Sequence, residues 1–134
     1  MCSSDLTQLR RYFDTVTFAG GEVLIRQGSD CHDMFFIEEG HVVVTMELAG
    51  GGSIRLTSSG AGTAVGEIAF YLGGKRSASV VATTPTRALR LSAERLDQMR
   101  SEAPAVAALL HDRMAKLLAL KMLDTNRLVE ALNG

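Results

Sequence analysis

The chain has 134 residues, of which 46% are apolar and 22% charged, and its net charge is −1. This length suffices for one hydrophobic core and is too short for two ordinary ones, so we expect a single domain over residues 1–134. The near-neutral charge excludes a global basic field for a nucleic-acid backbone or a lipid surface. We therefore expect no nucleic-acid contact, and if the domain binds an anion, it must do so through a local group of residues.

The sequence shows no membrane or secretion signal. No uninterrupted apolar run approaches the roughly 18 residues needed to span a bilayer, and the first residues lack the basic and apolar regions of a secretory signal. Cys2 and Cys31 lie far apart and form no Cys-x-x-Cys motif, which indicates free thiols in a reducing compartment. We expect a soluble, cytoplasmic chain without membrane insertion.

In chain order, the first element is a short amphipathic helix and the second is a long β region. Ser4 and Asp5 form a candidate N-cap before a segment with Leu6, Leu9 and Phe13 on one face, which predicts an N-terminal helix over residues 1–13. Short β-type runs separated by glycines follow over residues 14–91, and the glycines at 50–52 predict a hairpin between 41–48 and 54–57. This pattern is typical of a barrel, a jelly roll or a sandwich.

Two helices are predicted over residues 92–134. Ser92 is an N-cap for a helix over 93–100, and Pro104 is a suitable first residue for a longer helix. Apolar residues recur in this longer helix at steps of three and four, which predicts a stripe that packs on the β region or on a second copy of the helix.

The segment 66–80 has the pattern of an anion-binding loop. Gly66 permits a sharp entry into a short helical turn, Glu67 stands at the start of that turn, and Arg76 follows on the next segment. A carboxylate and a guanidinium on one small loop favour a ligand that carries both hydroxyls and a phosphate. The simplest alternative is a solvated Glu67–Arg76 ion pair, which would contribute little.

Two other phosphate motifs do not fit. A P-loop needs a glycine where Ala69 stands and a serine or threonine where Arg76 stands. The pair Gly60 and Gly62 lies in no βαβ unit, so it does not indicate a dinucleotide fold. His32, His41 and His111 do not cluster with a carboxylate in the predicted strands, which argues against a metal site.

The sequence offers no catalytic constellation. No nucleophile with a base and no pair of catalytic carboxylates can be assembled, so we expect no enzyme activity, no catalytic residue, no metal and no cofactor apart from a bound ligand.

The spacing in 66–80 resembles the phosphate-binding cassette of the cyclic nucleotide-binding domain family: Gly-Glu, small and apolar residues, two glycines, then Arg-Ser-Ala-Ser-Val. The resemblance extends to 21–28, 33–40 and 60–62 and covers about residues 13–130. It implies a mainly β fold, a double-stranded β-helix or jelly-roll-like β-roll, with an N-terminal helix and two C-terminal helices.

The resemblance also implies roles for single residues. Glu67 would accept a hydrogen bond from the ribose 2′-hydroxyl, and Arg76 would pair with the cyclic phosphate, as carboxylate and guanidinium chemistry permits. Backbone N–H groups at the start of the short helix would complete the cradle. The predicted binding residues are Gly66, Glu67, Ile68, Ala69, Arg76, Ser77 and Ala78.

Two positions depart from the family pattern. Val65 stands where an aromatic residue often precedes the Gly-Glu pair, which changes the volume of the pocket wall. Ser77 lies between the alanine of cAMP-selective members and the threonine of cGMP-selective ones. We expect cAMP to be preferred over cGMP.

In proteins of this kind a C-terminal helix covers the base, so the helix after Pro104 is the candidate lever. The candidate residues for the base lid are Lys121, Asp124, Thr125 and Asn126. The tail and the cassette most resemble the module that follows the STAS domain of bacterial SulP-type sulfate permeases, which suggests a transporter as the regulated partner. The alternative is a nucleotide-independent module that dimerises or docks through the long helix.

Overall fold

The computed structural model describes the backbone of residues 3–133 and the side chains of residues 7–123. The helices are α1 Ser3–Arg10, α2 Glu67–Leu72, α3 Ala93–Glu102 and α4 Pro104–Asn133. The strands are β1 Asp14–Phe18, β2 Val23–Ile25, β3 Met34–Glu39, β4 Val42–Glu47, β5 Ser53–Ser59, β6 Ala64–Val65, β7 Ser79–Ala82 and β8 Thr86–Leu91.

The strands form two four-stranded antiparallel sheets, ordered β1-β8-β3-β6 and β2-β7-β4-β5. This arrangement confirms the predicted mainly β fold with flanking helices. The predicted hairpin is β4–β5, whose register runs from Val42↔Ser59 to Glu47↔Ser53. Apart from this hairpin, strands that pair are distant in sequence, so residues from 23 to 82 contribute to one sheet.

Two apolar clusters hold the fold together. Between the sheets lies a cluster of β-sheet side chains: Ile25, Phe35, Ile37, Val42, Val65, Val80 and Ala88. A second cluster joins β-strands to α2, α3 and α4: Met34, Ala64, Phe70, Leu91, Leu96, Met99, Val106, Ala107, Leu110 and Met114. Because Phe70 of α2 shares the second cluster with Val106 to Met114 of α4, the short helix is fixed to the first part of α4.

The predicted starts of the two C-terminal helices agree with the structure, whereas Ser4 and Asp5, predicted to precede the first helix, lie inside α1. Ser92 accepts a hydrogen bond from the backbone N–H of Arg95 at 3.2 Å, and Pro104 is the first residue of α4. The first helix ends at Arg10, earlier than the predicted residue 13. The backbone there tightens into bonds of the 3₁₀ type, such as Phe13 N–H to Arg10 C=O at 3.1 Å, before β1 begins.

In the described part of α4, the predicted apolar stripe is buried at Leu110 and Met114, whereas Met122 and Leu123 of the same stripe are 67% and 44% exposed. These two exposed side chains do not pack on the β-roll. Packing on a second copy of the helix stays a prediction for them. No helix in the described part of the chain combines the length and the apolar character that crossing a membrane requires.

Candidate cyclic nucleotide site

Gly66 shapes the entry to the site. Its φ of 80° lies in the left-handed region, which glycine adopts without steric cost. A Cβ at this position would lie 2.7 Å from Ile25 Cδ1 and 2.9 Å from Arg76 Nη1. Gly66 therefore allows both the turn from β6 into α2 and the close approach of the guanidinium.

Glu67 is the first residue of α2 and is buried, with 6% exposure. Its Oε1 accepts a hydrogen bond from Lys121 Nζ at 2.7 Å, and the same ammonium donates to the carbonyl of Ala64 at 2.7 Å. Since a buried carboxylate is stable only with a compensating partner, Lys121 of α4 supplies the positive charge that lets Glu67 stay inside.

Arg76 is likewise buried, with 5% exposure. Its Nη1 donates to the carbonyl of Gly66 at 2.8 Å and its Nη2 donates to the carbonyl of Asp33. Its Nε is buried and has no hydrogen-bond partner among the described residues. Of the described carboxylates, none forms an ion pair with Arg76.

This arrangement has a clear chemical consequence. Burying a charge without a counter-ion is costly, and a buried N–H donor without an acceptor adds to that cost. An anion beside Arg76 would supply both the counter-ion for the guanidinium and an acceptor for its Nε–H. The solvated Glu67–Arg76 ion pair considered from the sequence is wrong, because both groups are buried and Glu67 pairs with Lys121 instead.

A cavity of about 520 Å³ lies beside these groups, within the range usual for small-molecule sites. Every predicted binding residue lines it: Gly66, Glu67, Ile68, Ala69, Arg76, Ser77 and Ala78. Apolar walls come from Ile25, Val44, Val65 and Val80, and hydroxyl groups come from Thr57, Ser58, Ser59 and Thr63. The cavity thus offers cations, one carboxylate, hydroxyls and an apolar wall in one space.

Of the four predicted lid residues, the structure brings Lys121 to the cavity. The side chains of Asp124, Thr125 and Asn126 lie outside the described residues. Sequence reasoning missed the carbonyls of Asp33 and Ala64, because a backbone acceptor has no sequence signal. It also missed the hydroxyl groups of β5, since their position depends on strand pairing.

The described residues contain no group of three or more histidine, cysteine, aspartate or glutamate side chains that could hold a metal ion. His32 Nε2 lies 2.8 Å from the carbonyl of Gly74, at the turn that precedes Arg76. His111 Nδ1 lies 3.2 Å from the hydroxyl of Tyr71, so this histidine connects α4 with α2.

Comparison with known proteins identifies a family whose model matches the part of the chain that contains the cassette. The family model described as "Cyclic nucleotide-binding domain" matches residues 15–103, which include both sheets and all of α2. The match therefore covers the cassette and the described cavity-lining residues other than Lys121, and it ends before α4.

Two relatives contain a similar segment. The chain is 28% identical over 132 residues to glutaminase 2 of Bradyrhizobium diazoefficiens, covering 98% of this chain and 20% of the relative. It is 38% identical over 65 residues to a cAMP-dependent protein kinase regulatory subunit of Blastocladiella emersonii, covering 48% of this chain and 16% of that protein. The chain thus spans a fifth or less of the length of either relative.

Among solved structures, a cyclic nucleotide-binding domain from Methylobacillus flagellatus superposes with a TM-score of 0.90. The sequence identity is 24%, and the match covers 98% of this chain and 74% of that one. At this identity the likeness demonstrates a common fold, helices included.

Proposed function

The chain belongs to the cyclic nucleotide-binding domain family, and on this premise we propose that it senses a 3′,5′-cyclic nucleotide, cAMP in preference to cGMP. The observation that carries the proposal is the buried Arg76 guanidinium, which has an unpartnered Nε and lines the same cavity as Glu67. We expect this module to regulate rather than to catalyse.

The phosphate would bind at Arg76. A guanidinium remains charged at all relevant pH values and presents several N–H donors in one plane, which suits phosphate oxygens. Ser77 and Ala78 follow directly and line the cavity, as do the residues at the start of α2. Gly66 and Asp33 carbonyls orient the guanidinium before the ligand arrives, so little reorganisation is needed.

The ribose would bind at Glu67. A carboxylate has two oxygens, and Lys121 contacts Oε1, so Oε2 can accept a hydrogen bond from the 2′-hydroxyl. The hydroxyl is neutral and cannot replace the charge of Lys121 beside a buried carboxylate. We infer that Lys121 stays on Glu67 when the nucleotide binds, which ties α4 to the occupied site.

The preference for cAMP is supported by one comparison. The relative from Blastocladiella emersonii is named as a cAMP-dependent regulatory subunit, and its identity to this chain is the higher of the two relatives. The hydroxyls of Ser77, Thr57 and Thr63 in the cavity wall can donate to or accept from either purine, so they do not distinguish cAMP from cGMP.

Nucleotide occupancy would be transmitted through α4. A nucleotide that binds better when Lys121 contacts Glu67 shifts the population toward that arrangement of the helix. Similar segments occur in a longer enzyme and in a longer kinase subunit. The activity that the nucleotide regulates would therefore depend on the protein to which such a module is joined. A membrane transporter of the SulP type remains our proposed partner.

The deciding experiment is calorimetric titration with cAMP and with cGMP. We expect binding of both, tighter for cAMP. Arg76→Ala should weaken cAMP binding about tenfold or more, because a charged hydrogen bond is worth about 1.5 to 3 kcal/mol. The exposed Arg55 of β5 offers a matched control, and Arg55→Ala should bind as the wild type does. Absence of heat with either nucleotide at millimolar concentration would refute the proposal.

A second candidate is a nucleotide-independent interaction module. It is favoured by the internal partners that Glu67 and Arg76 already have, and by the exposed Leu120, Met122 and Leu123 of α4, which could pair with a second copy. Sedimentation of the wild type and of Met122→Glu, each with and without cAMP, separates the two. A dimer that the substitution dissociates and that cAMP leaves unchanged supports the interaction module.

A further inference from the structure

Tyr71 and His111 form a contact between the cassette and the long helix that the nucleotide proposal does not use. Tyr71 lies in α2 and His111 in α4, and the hydroxyl is 3.2 Å from Nδ1. The ring centroids are 5.7 Å apart. Phe70 supports the tyrosine from the core side, with ring centroids 5.0 Å apart and nearly perpendicular planes.

Two polar contacts, Tyr71–His111 and Glu67–Lys121, join α4 to α2 in addition to the apolar cluster that contains Phe70. The two α4 residues are about 15 Å apart along the helix axis, from the usual rise per residue. The polar contacts therefore hold α4 against the cassette at two separated positions.

We propose that Tyr71 and His111 are positioning residues that hold α4 on the cassette only while His111 is neutral, so that nucleotide affinity falls as the solution becomes acidic. The inference rests on the proposed nucleotide binding and adds a proton as a second ligand of the same element.

The direction of this hydrogen bond depends on the protonation of His111. A neutral imidazole has one acceptor nitrogen, and the phenol hydroxyl can donate to it when it is Nδ1. After protonation both ring nitrogens are donors, so the hydroxyl must turn and accept. The reversed hydrogen bond then places a positive charge at His111, which is partly buried between the helices, and burial disfavours that charge.

The groups around His111 disfavour that charge. Tyr71 faces it from α2, and the field of Arg100 reaches it from α3. The described charged residue of α1, Arg10, is paired with Glu38, and on α4 Asp112 is paired with Lys116. No described carboxylate lies within ion-pair distance of His111.

Burial, and then Arg100, lower the pKa of His111 from its ordinary value. Burial also raises the pKa of Tyr71, which keeps the hydroxyl protonated as a donor. When the Tyr71–His111 contact opens, His111 enters water and regains an ordinary pKa of about 6.5. The docked arrangement is thus fully favoured above that pH and loses stability as the pH falls below it.

The test is calorimetric titration with cAMP at several values from about pH 7.5 down to about pH 5.5, the range in which a histidine titrates. For the wild type we expect affinity to fall about fivefold, the low end of typical coupling between sites. Tyr71→Phe and His111→Gln should bind more weakly at pH 7.5 and show a much flatter profile. The exposed His41 provides the control, and His41→Gln should keep the wild-type profile.

A measurement on the wild type alone guards against a variant that does not fold. Since coupling is reciprocal, saturating cAMP should lower the apparent pKa of the His111 imidazole in a proton NMR titration. Constant affinity across the pH range, or an unchanged His111 titration with cAMP bound, overturns this inference and leaves the nucleotide proposal intact. Lack of cAMP binding at every pH refutes the nucleotide proposal itself.

Discussion

The contact between Lys121 and Glu67 gives the sharpest prediction about this domain, and Lys121→Met is the substitution that probes it. Methionine keeps the length of the aliphatic chain and removes the ammonium. The buried Glu67 carboxylate and the Ala64 carbonyl then each lose a hydrogen bond of 2.7 Å. We expect lower stability and weaker cAMP binding, because the carboxylate that should receive the ribose is no longer held.

The magnitude follows from the exposure of the two partners. Removing one member of a fully buried pair costs about 3 to 5 kcal/mol, and an exposed pair contributes about 0 to 1 kcal/mol. The Glu67 side chain is 8% exposed and that of Lys121 is 40% exposed. An intermediate loss of about 2 kcal/mol follows, which corresponds to a decrease in Tm of about 6 to 8 °C for a domain of this size.

Thermal denaturation and calorimetric titration measure the two effects. The double variant Glu67→Gln/Lys121→Met should recover most of the lost Tm, because the uncompensated charge has been removed. Lys116→Met is the matched control on the same helix: it breaks an exposed pair with Asp112 at 3.1 Å and should change stability by about 0.5 kcal/mol or less. An unchanged Tm in Lys121→Met, or tighter cAMP binding, would refute the reasoning.

Three further substitutions test other parts of the structure. Gly66→Ala should lower the free energy of unfolding by about 1 to 3 kcal/mol in chemical denaturation, since a Cβ there meets both a strained φ and close neighbours. Leu110→Ala should cost about 2 to 5 kcal/mol in the same assay, because Leu110 is 1% exposed in the helical core. Arg10, and then Arg87, lower the pKa of Glu38, so Glu38→Gln should reduce the loss of stability below about pH 4.3.

Each of these has a control and a contradicting outcome. Gly50 has open space around its Cβ position and an ordinary φ, so Gly50→Ala should be nearly neutral, and an equal cost at both glycines would contradict the steric argument. Leu120→Ala, at an exposed position, should cost much less than Leu110→Ala. Glu38 stabilises the fold above the ordinary glutamate pKa and ceases to do so as the pH falls through its lowered pKa. An acid unfolding curve of Glu38→Gln that parallels the wild type would contradict this assignment.

Local sequence rules accounted for most of the elements. Ser92 caps α3 and Pro104 begins α4 because capping and proline effects act within a single turn. The glycines between β4 and β5 place the hairpin in the same way. The end of α1 was predicted too late, since the tightening of its last turn before β1 depends on how the chain enters the sheet.

Only part of the candidate site could be predicted from the sequence. Glu67 and Arg76 stand close together in sequence, and their spacing indicated a shared ligand site. Lys121 stood among four candidates in the sequence, because its choice requires knowing how α4 crosses α2. The carbonyls of Asp33 and Ala64 had no signal at all, since every residue has a carbonyl.

The sequence by itself determined the β-roll, its flanking helices and the pair of charged residues in the cassette, because short-range patterns of glycine, apolar and charged residues encode them. Only the tertiary structure decided that both charges are buried, that Lys121 neutralises Glu67, and that His111 meets Tyr71. These contacts join residues some forty or more positions apart in the chain. They arise from packing of whole elements, which no local pattern specifies.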